Sequence, residues 1–262
     1  MKIIGIIPAR MASTRFPGKP LAPICGIPMI GHIFLRSRMS ETLDDVYVAT
    51  CDVSIKEYIT TLDGKAVMTS DVHERATDRT AEAMIKIEEE IGTAIDIVVM
   101  IQGDEPLVTP ALIGALVRPM IEDDSIQITN LISTIDDDDE FNNPNAVKIV
   151  MDISGNALYF SREAIPSGKK YHGTPPRFKQ LGIIAFRRSF LLKFNDLTPT
   201  PLEKIESVDM LRILEHGLKI RMVMSPDKIY SVDIPEDRVQ VENLMKLDRL
   251  FAKYARSDNK IP

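Results

Sequence analysis

The residues best suited to chemistry lie near the N-terminus, directly after a short apolar run. A short stretch combines three cations, two hydroxyl side chains and a glycine: Arg10, Ser13, Thr14, Arg15, Gly18 and Lys19. Guanidinium groups offer planar pairs of N–H donors to phosphate oxygens, and an ammonium group adds a point charge. Gly18 lets the backbone approach a ligand closely. The stretch therefore predicts a binding site for a polyanion, most simply a triphosphate.

The spacing in this loop differs from that of a P-loop. A P-loop requires G-x-x-x-x-G-K-[ST], with the lysine leading into a helix. Here Pro20 follows Lys19, and no glycine lies five residues before Gly18. A solvated basic loop is the alternative interpretation. The position straight after a buried strand favours phosphate binding.

A second cluster, of acidic and amide side chains, follows another apolar run at Ile97–Ile101. This cluster contains Gln102, Asp104 and Glu105. Mg²⁺ prefers hard oxygen ligands and is commonly held by one or two carboxylates together with substrate phosphates. We expect Asp104 to be a metal ligand. Glu105 precedes a proline and is expected to serve loop structure or hydrogen bonding around the site.

Both clusters require strands that end at the same edge of a sheet, and the sequence predicts such strands in alternation with helices. The alternation indicates a parallel sheet with right-handed crossovers, in which ligands bind beyond the carboxyl ends of the strands. Predicted strands are Ile3–Ile7, Val46–Thr50, Lys65–Met68, Ile97–Ile101, Ile126–Ile132 and Lys219–Met224. The first predicted helix begins at Pro28. The other predicted helices are Ile55–Leu62, Asp78–Ile91, Pro110–Glu122, Pro201–His216 and Pro235–Tyr254.

Several polar residues are predicted to have structural roles. Asp52 and Thr77 precede helices and are expected to cap them, and Asp237 is expected to cap the last helix. His32 is expected on a helix surface or at a cap. The acidic run Asp136–Glu140 is expected to be a solvated loop rather than a metal site, because charges this dense rarely pack.

The pattern changes from Asn142 onward. Two strands flank a turn at Ser154-Gly155, and a later strand contains QLGIIAFRR. We therefore expect a single domain over residues 1–262, with an antiparallel extension over 142–190. The extension has apolar side chains but too little core of its own, which predicts a homodimer.

Five ordered motifs, spread over nearly the whole chain, resemble the sugar-activating nucleotidyltransferases. The resemblance is strongest to the cytidylyltransferases that load 3-deoxy-manno-octulosonate (Kdo), a bacterial lipopolysaccharide sugar acid, onto CMP. The motifs are IPARMASTRFPGKPLAPICGIPMI, TSDVHERATDR, QGDEP, NPNAVK with ALYFSR, and VDIPED. The resemblance implies a nucleotide-diphospho-sugar transferase-like α/β fold: a mixed, mostly parallel central sheet flanked by helices, with a small antiparallel dimerisation extension carrying acceptor and dimer contacts. It also implies that the protein, with Mg²⁺ as its cofactor, converts CTP and a sugar acid into a CMP-sugar and pyrophosphate.

The resemblance also implies roles for individual residues. Arg10, Arg15, Lys19 and Asp104 would be catalytic, and Asp104 and Asp233 would hold the metal ion. The nucleotide would contact Pro8, Ala9, Arg10, Ser13, Arg15, Lys19, Thr77, Asp78, Arg79 and Gln102. The acceptor would contact Gln102, Arg162, Gln180, Phe186, Glu206 and Met210, with Arg162 on its carboxylate.

The sequence departs from the family pattern mainly on the acceptor side. Gln180 replaces a histidine, Ile184 and Phe186 replace tyrosines, and Asp209-Met210 replaces Glu-Gln. Since buried polar partners dominate discrimination by pockets, these changes predict altered hydroxyl recognition, with Kdo itself a poorer acceptor than a modified relative. In the motif TSDVHERATDR, Arg75-Ala76 replaces the Ser-Gly pair of the family.

Two alternatives stay open at this level. The first is a nucleotidyltransferase of another acceptor class, using a different sugar acid or an alcohol with CTP, or a sugar phosphate with UTP or dTTP. The second is a protein that binds CTP without turnover, for which the carboxylate pair would have little use.

Composition limits the remaining possibilities. The net charge of −6 argues against a nucleic-acid-binding protein, so the basic loop is a local site in an acidic chain. Two cysteines in unrelated contexts indicate a reduced compartment. The few residues before Pro8 are too short for a signal peptide, and no apolar run reaches the length of a membrane span. We therefore expect a cytoplasmic protein that does not enter a membrane.

Overall fold

The structure is a computed structural model, and it describes residues 1–12, 16–225 and 227–255. The strands are β1 Ile3–Ala9, β2 Pro23–Ile24, β3 Ile27–Pro28, β4 Asp45–Thr50, β5 Lys65–Met68, β6 Ile97–Ile101, β7 Ile128–Thr134, β8 Lys148–Met151, β9 Ala157–Ser161, β10 Phe178–Arg187 and β11 Arg221–Met224. The helices are α1 Met29–Arg38, α2 Val53–Thr61, α3 Ala76–Ile91, α4 Pro110–Glu122, α5 Asp138–Asn142, α6 Arg188–Asp196, α7 Pro201–Glu206, α8 Met210–Glu215, α9 Pro235–Leu247 and α10 Phe251–Tyr254.

Backbone contacts divide the chain into two compact units. The first contains residues 1–114 and the described residues from 229 onward, and the second contains residues 115–228. The predicted extension over 142–190 belongs to the second unit. That residues 1–262 act as one domain stays a prediction.

The sheet of the first unit has parallel strands in the order β6-β1-β4-β5. Every residue of β1 is buried, which explains why the strand reads as a nearly continuous apolar run. Ile6 of β1 is in register with Met100 of β6, so the two strands end side by side. Gly103, which comes soon after β6 in the sequence, lies close to β1. A Cβ atom at this position would be 3.0 Å from the carbonyl oxygen of Pro8. The residues after β1 and those after β6 therefore share one edge.

The second unit contains a mixed sheet in the order β11-β7-β10-β8-β9. β11 and β7 are parallel, whereas the other neighbouring pairs are antiparallel. The predicted fold class, an α/β fold with a mixed, mostly parallel sheet flanked by helices and a small antiparallel part, is confirmed.

Some predicted element bounds are wrong. The helix expected over Pro201–His216 is two helices, α7 and α8, because Ser207 adopts a left-handed conformation with φ 53°. The last helix ends at Leu247, and a short separate helix, α10, follows. The strand expected over Ile126–Ile132 lies two residues later, at Ile128–Thr134.

Two predicted helix caps are wrong. Asp52 precedes α2 without capping it, because its carboxylate instead accepts a hydrogen bond from the Met11 N–H at 2.8 Å. Thr77 lies inside the first turn of α3, which begins at Ala76. The cap by Asp237 is confirmed, since its carboxylate accepts hydrogen bonds from the N–H groups of Asp233 and Ile234 at 2.8 and 3.0 Å.

The expected surface position of His32 is also wrong. Its side chain is fully buried, with Nε2 2.8 Å from the Ile24 carbonyl oxygen and Nδ1 2.6 Å from the Tyr254 hydroxyl. A long-range contact in the tertiary structure thus decides its environment. The acidic run Asp136–Glu140 is solvated as expected, but its last three residues form the start of α5 rather than a loop. The Asp137 carboxylate caps this helix by accepting a hydrogen bond from the Glu140 N–H at 2.7 Å.

Within the described residues, no helix is both long enough and apolar enough to cross a membrane.

Candidate functional site

Lys19, in the first unit, links the segment that contains Asp104 to the segment that contains Val232. Lys19 lies at the start of a short 3₁₀ helix, immediately after Gly18, whose φ of 74° suits glycine. Its Nζ donates to Asp104 Oδ2 at 2.9 Å and to the Val232 carbonyl oxygen at 2.9 Å. The Lys19 and Asp104 side chains are 13% and 22% exposed, so the ion pair is shielded but open to a ligand. The structure thus brings together the predicted cation and the predicted metal carboxylate.

The two predicted metal carboxylates lie on segments that are tied together. The Val232 N–H donates to the carbonyl oxygen of Asp104 at 2.9 Å, which places Asp233 one residue from that bond. Among the residues that the structure describes, no group of three or more His, Cys, Asp or Glu side chains is arranged to hold a metal ion. Two carboxylates on adjoining segments still fit Mg²⁺, which takes its other ligands from phosphates and water.

Glu105 has the loop role predicted for it. Its side chain is 2% exposed, and Oε1 accepts a hydrogen bond from the Ser231 hydroxyl at 3.1 Å. Its N–H donates to the carbonyl oxygen of Gln102 at 3.3 Å, closing the turn that follows β6. Glu105 therefore joins the segment that carries Asp104 to the segment that carries Asp233.

Two predicted nucleotide-binding arginines contact the loop over residues 69–74, between β5 and α3. Arg10 Nη1 donates to the His73 carbonyl oxygen at 3.3 Å from an exposed position. Arg79 Nη2 reaches the same oxygen at 3.4 Å, and Arg79 Nη1 donates to the Thr69 hydroxyl and to the Ser70 carbonyl oxygen. Arg79 is only 2% exposed, so its guanidinium braces this loop.

Glu82, which sequence reasoning missed, holds the same loop from α3. Its carboxylate accepts hydrogen bonds from the Ser70 N–H and also contacts His73 Nε2 and Lys86 Nζ. Burial by itself would raise the pKa of Glu82, but Lys86, the Ser70 N–H and His73 together lower it to about 2. No sequence motif marked Glu82, since its importance depends on the loop folding back onto α3.

The other predicted nucleotide-binding residues fall into three groups. Pro8 and Ala9 end β1, and Gln102 follows β6 at the same edge of the sheet. Thr77 is buried and Asp78 lies in the first turn of α3, where its charge suits the helix N-terminus. Ser13, Thr14 and Arg15 lie outside the described residues, and their roles stay predictions.

In the second unit, Arg162 follows β9 and its guanidinium contacts three backbone carbonyl oxygens. Nε donates to that of Glu206 at 2.6 Å, Nη1 to that of Pro144 at 2.8 Å and Nη2 to that of Ser207 at 3.3 Å. The Glu206 carboxylate in turn accepts from the Arg162 N–H at 2.8 Å. The structure therefore brings Arg162 and Glu206 together, while their assignment to the acceptor stays a prediction.

Gln180 contacts a buried asparagine at an irregularity in β10. Its Nε2 donates to Asn130 Oδ1 at 2.7 Å. The register between β7 and β10 shifts between Gln180 and Ile184, and the Asn130 amide donates to the carbonyl oxygens of Leu181 and Ile183 at 2.9 and 3.2 Å. Asn130 thus satisfies backbone groups that the bulge removes from the ladder.

Two predicted acceptor residues lie in the core of the second unit. Phe186 is fully buried, with its ring centroid 6.4 Å from that of Phe194, and Met210 is 1% exposed. Ile184, which also departs from the family pattern, is 2% exposed. These side chains fill the core, and this packing gives them no open surface for a ligand.

The α/β fold, the shielded Lys19–Asp104 pair and the adjoining Asp233 segment fit the class of nucleotidyltransferases, and similarity to known proteins shows that class. The chain belongs to the cytidylyltransferase family, whose sequence profile matches residues 4–220. The 3-deoxy-manno-octulosonate cytidylyltransferase of Geobacter metallireducens is 40% identical over 98% of this chain and 99% of its own length. The enzyme of that name from Desulfosudis oleivorans is 44% identical, covering 94% of this chain and 98% of its own length.

A comparison with solved structures agrees with this assignment. The structure of CMP:2-keto-3-deoxy-manno-octonic acid synthetase complexed with CTP superimposes with a TM-score of 0.87 at 35% identity, covering 94% of this chain and 99% of that one. A cytidylyltransferase structure from Leptospira borgpetersenii, 19% identical with a TM-score of 0.62, shares the fold. The predicted resemblance to the Kdo cytidylyltransferases is confirmed.

Proposed function

We propose that this protein transfers a cytidylyl group from CTP to a 3-deoxy-ulosonic sugar acid, either Kdo or a modified relative, and releases pyrophosphate. The observation that carries the proposal is the Lys19–Asp104 ion pair, to which the Val232–Asp233 segment is tied. Lys19, Asp104 and Asp233 together supply a cation and two carboxylates at the edge of the sheet where α/β folds bind ligands. The names of the relatives support the choice of CTP and of a Kdo-type acid.

In the proposed reaction, the anomeric hydroxyl oxygen of the sugar acid forms a bond to the α-phosphorus of CTP. The bond from that phosphorus to the β-phosphate oxygen breaks, pyrophosphate leaves and the hydroxyl proton is lost to solvent. Arg10 and Lys19, together with Arg15, hold the triphosphate and offset the charge that builds up on pyrophosphate. Asp104 and Asp233 would hold Mg²⁺, which when bound neutralises phosphate charge and makes the attacking hydroxyl more acidic.

For the acceptor, we propose that Arg162 binds the carboxylate and that Gln180 and Glu206 contribute polar contacts. A guanidinium has five N–H groups, so its three carbonyl contacts are compatible with two further bonds to a carboxylate. That Gln102 contacts the acceptor stays a prediction from the sequence. We leave Phe186 and Met210 out of this set because both are buried.

The experiment that tests the function is pyrophosphate release from a panel of nucleotides and sugar acids. The expected result is turnover with CTP and a 3-deoxy-ulosonic acid, and far slower turnover with UTP, dTTP or a sugar phosphate. Turnover only with a sugar phosphate would favour the other acceptor class, and CTP binding without pyrophosphate release would contradict an enzymatic role.

The same panel tests the acceptor. Of the residues that depart from the family pattern, Gln180 and Asp209 both have half-buried polar side chains, and Gln180 is the one of the two that is assigned to the acceptor. We therefore test the altered recognition at Gln180. A modified relative of Kdo is expected to be the better acceptor, and Gln180→His is expected to shift the preference towards Kdo. If Kdo is the best acceptor of the parent and Gln180→His changes nothing, the acceptor is plain Kdo.

We also propose a cytoplasmic homodimer. The β8–β9 hairpin exposes Ile153 and Leu158, and β9 is bonded along one side to β8. Exposed apolar side chains on a sheet edge favour association with another copy of the chain. Cys25 and Cys51 are both free, which suits a reducing compartment.

A further inference from the structure

A buried lysine in the second unit has no part in the function proposed above. Lys148 begins β8, and its side chain is completely buried. Its Nζ donates to the carbonyl oxygens of Asn143 at 2.8 Å and of Arg162 at 2.5 Å. Burial lowers the pKa of Lys148, while the carboxylates of Glu163 and Glu206 oppose that change. Burying an ammonium group is costly, so its position needs an explanation.

The bond from Lys148 completes a set of contacts around one residue. The Arg162 N–H donates to Glu206 Oε2 at 2.8 Å, and its carbonyl oxygen accepts from Lys148. The main chain of Arg162 is therefore fixed on both sides by charged side chains. Its guanidinium is fixed as well, by the carbonyl oxygens of Pro144, Glu206 and Ser207.

Lys148 also fixes the loop that receives the Arg162 side chain. Asn143, which Lys148 binds, adjoins Pro144, whose carbonyl oxygen accepts from Arg162 Nη1. Lys148 is in register with Ser161 of β9, and the Ser161 hydroxyl donates to Glu206 Oε1 at 3.0 Å. One ammonium group thus holds both the backbone and the side-chain partner of Arg162.

We infer that Lys148 is a positioning residue for the sugar acid: it fixes Arg162 so that the guanidinium meets the carboxylate of the acceptor in one orientation. The inference rests on the proposed function, because it takes Arg162 to be the carboxylate ligand. Pre-organised groups lose little conformational freedom on binding, and a displacement of about 1 Å can cost roughly a hundredfold in rate. Among the described residues, both hydrogen bonds of the Lys148 ammonium group go to carbonyl oxygens of neighbouring segments, which suits this purpose.

The test replaces Lys148 with methionine, which keeps the unbranched side chain as far as Cε and removes the ammonium group. We expect the KM for the sugar acid to rise at least about tenfold while the KM for CTP stays within about twofold of the parent. Lys179→Met is the matched control, since Lys179 lies opposite Lys148 on β10 and forms an ion pair with Glu140. This control should leave both KM values unchanged.

A double-mutant cycle separates positioning from a purely structural role. In an Arg162→Gln background, Lys148→Met should cause little further rise in the KM for the sugar acid, because its effect passes through Arg162. A full additional rise, or an equal rise in both KM values, would overturn the inference. If Lys148→Met fails to fold by circular dichroism, Lys148→Gln, which keeps one donor, is measured in the same way.

The cycle also distinguishes this inference from the proposed function. If Arg162→Gln raises the KM for the sugar acid but Lys148→Met and Lys148→Gln do not, Lys148 has no positioning role and the function stands. If Arg162→Gln leaves that KM unchanged, the assignment of Arg162 to the carboxylate is wrong, and the inference about Lys148 falls with it.

Discussion

Lys19 Nζ lies 2.9 Å from Asp104 Oδ2, and the same nitrogen lies 2.9 Å from the carbonyl oxygen of Val232. One side chain therefore links the loop after β1, the loop after β6 and the segment that carries Asp233. A cation in this position both stabilises the arrangement of the carboxylates and presents charge to a phosphate.

Lys19→Met is expected to lower kcat/KM for CTP by at least about a hundredfold, because it removes a phosphate contact and releases both Asp104 and Val232. Steady-state kinetics of pyrophosphate release measures this. Lys56→Met, at an exposed position on α2, is the control and should behave like the parent. A Lys19→Met enzyme with nearly parental kcat/KM would show that the ion pair has no role in catalysis.

Asp104→Asn is expected to leave the fold intact and to lower Mg²⁺-dependent turnover by at least about a hundredfold, since an amide is a poor replacement for a charged metal ligand. Asp233→Asn should have the same effect. Asp63→Asn, in the exposed turn after α2, serves as the control. If either site variant keeps nearly parental turnover at saturating Mg²⁺, the two carboxylates are not the metal ligands.

Because His32 is buried, we expect the first unit to lose stability at acid pH. Burial lowers its pKa to about 4, against an ordinary value of 6.5, so the fold favours the neutral ring. Its contribution to the free energy of unfolding is complete above about pH 6.5 and is lost as the pH falls towards 4, by at most about 3 kcal/mol. Urea unfolding at several pH values measures this. His32→Gln should flatten the slope over that window, and an unchanged slope would contradict the assignment.

Glu82→Gln is expected to lower the free energy of unfolding by about 1–2 kcal/mol, because the carboxylate accepts the Ser70 N–H and contacts His73 and Lys86. The folded pKa of Glu82 is about 2 and its ordinary value is 4.5, so this contribution is present above pH 4.5 and disappears as the pH falls towards 2. Denaturant unfolding at pH 7 gives the comparison. Glu89→Gln, on the exposed face of the same helix, should cost much less, and equal losses would refute the special role of Glu82.

Leu158→Lys is expected to shift a homodimer towards monomer, because it places a charge on the exposed edge of β9. Sedimentation velocity at micromolar protein concentration is the measurement. Val239→Lys, at an exposed apolar position on α9, is the control. A parent protein that sediments as a single monomeric species would exclude the proposed dimer.

The sequence by itself determined the strands that carry the site and the class of chemistry. β6 was predicted to the residue, and β1 and β4 to within two residues, because strands buried on both faces read as short apolar runs with sharp ends. β5 was also predicted to the residue, although its first residue is exposed. Lys19 and Asp104 were both identified because each lies in the loop that follows such a strand, and the carboxyl ends of parallel strands meet at one edge of the sheet.

Only the tertiary structure decided how side chains far apart in the sequence share their partners. His32 looked like a surface residue until α10 placed the Tyr254 hydroxyl beside it, and Lys148 and Glu82 gained their roles from loops that fold back onto them. Phe186 looked like part of a pocket, but it packs against Phe194 in the core. Local patterns report the period and the ends of elements, whereas burial and hydrogen-bond partners depend on contacts between distant segments that no local pattern records.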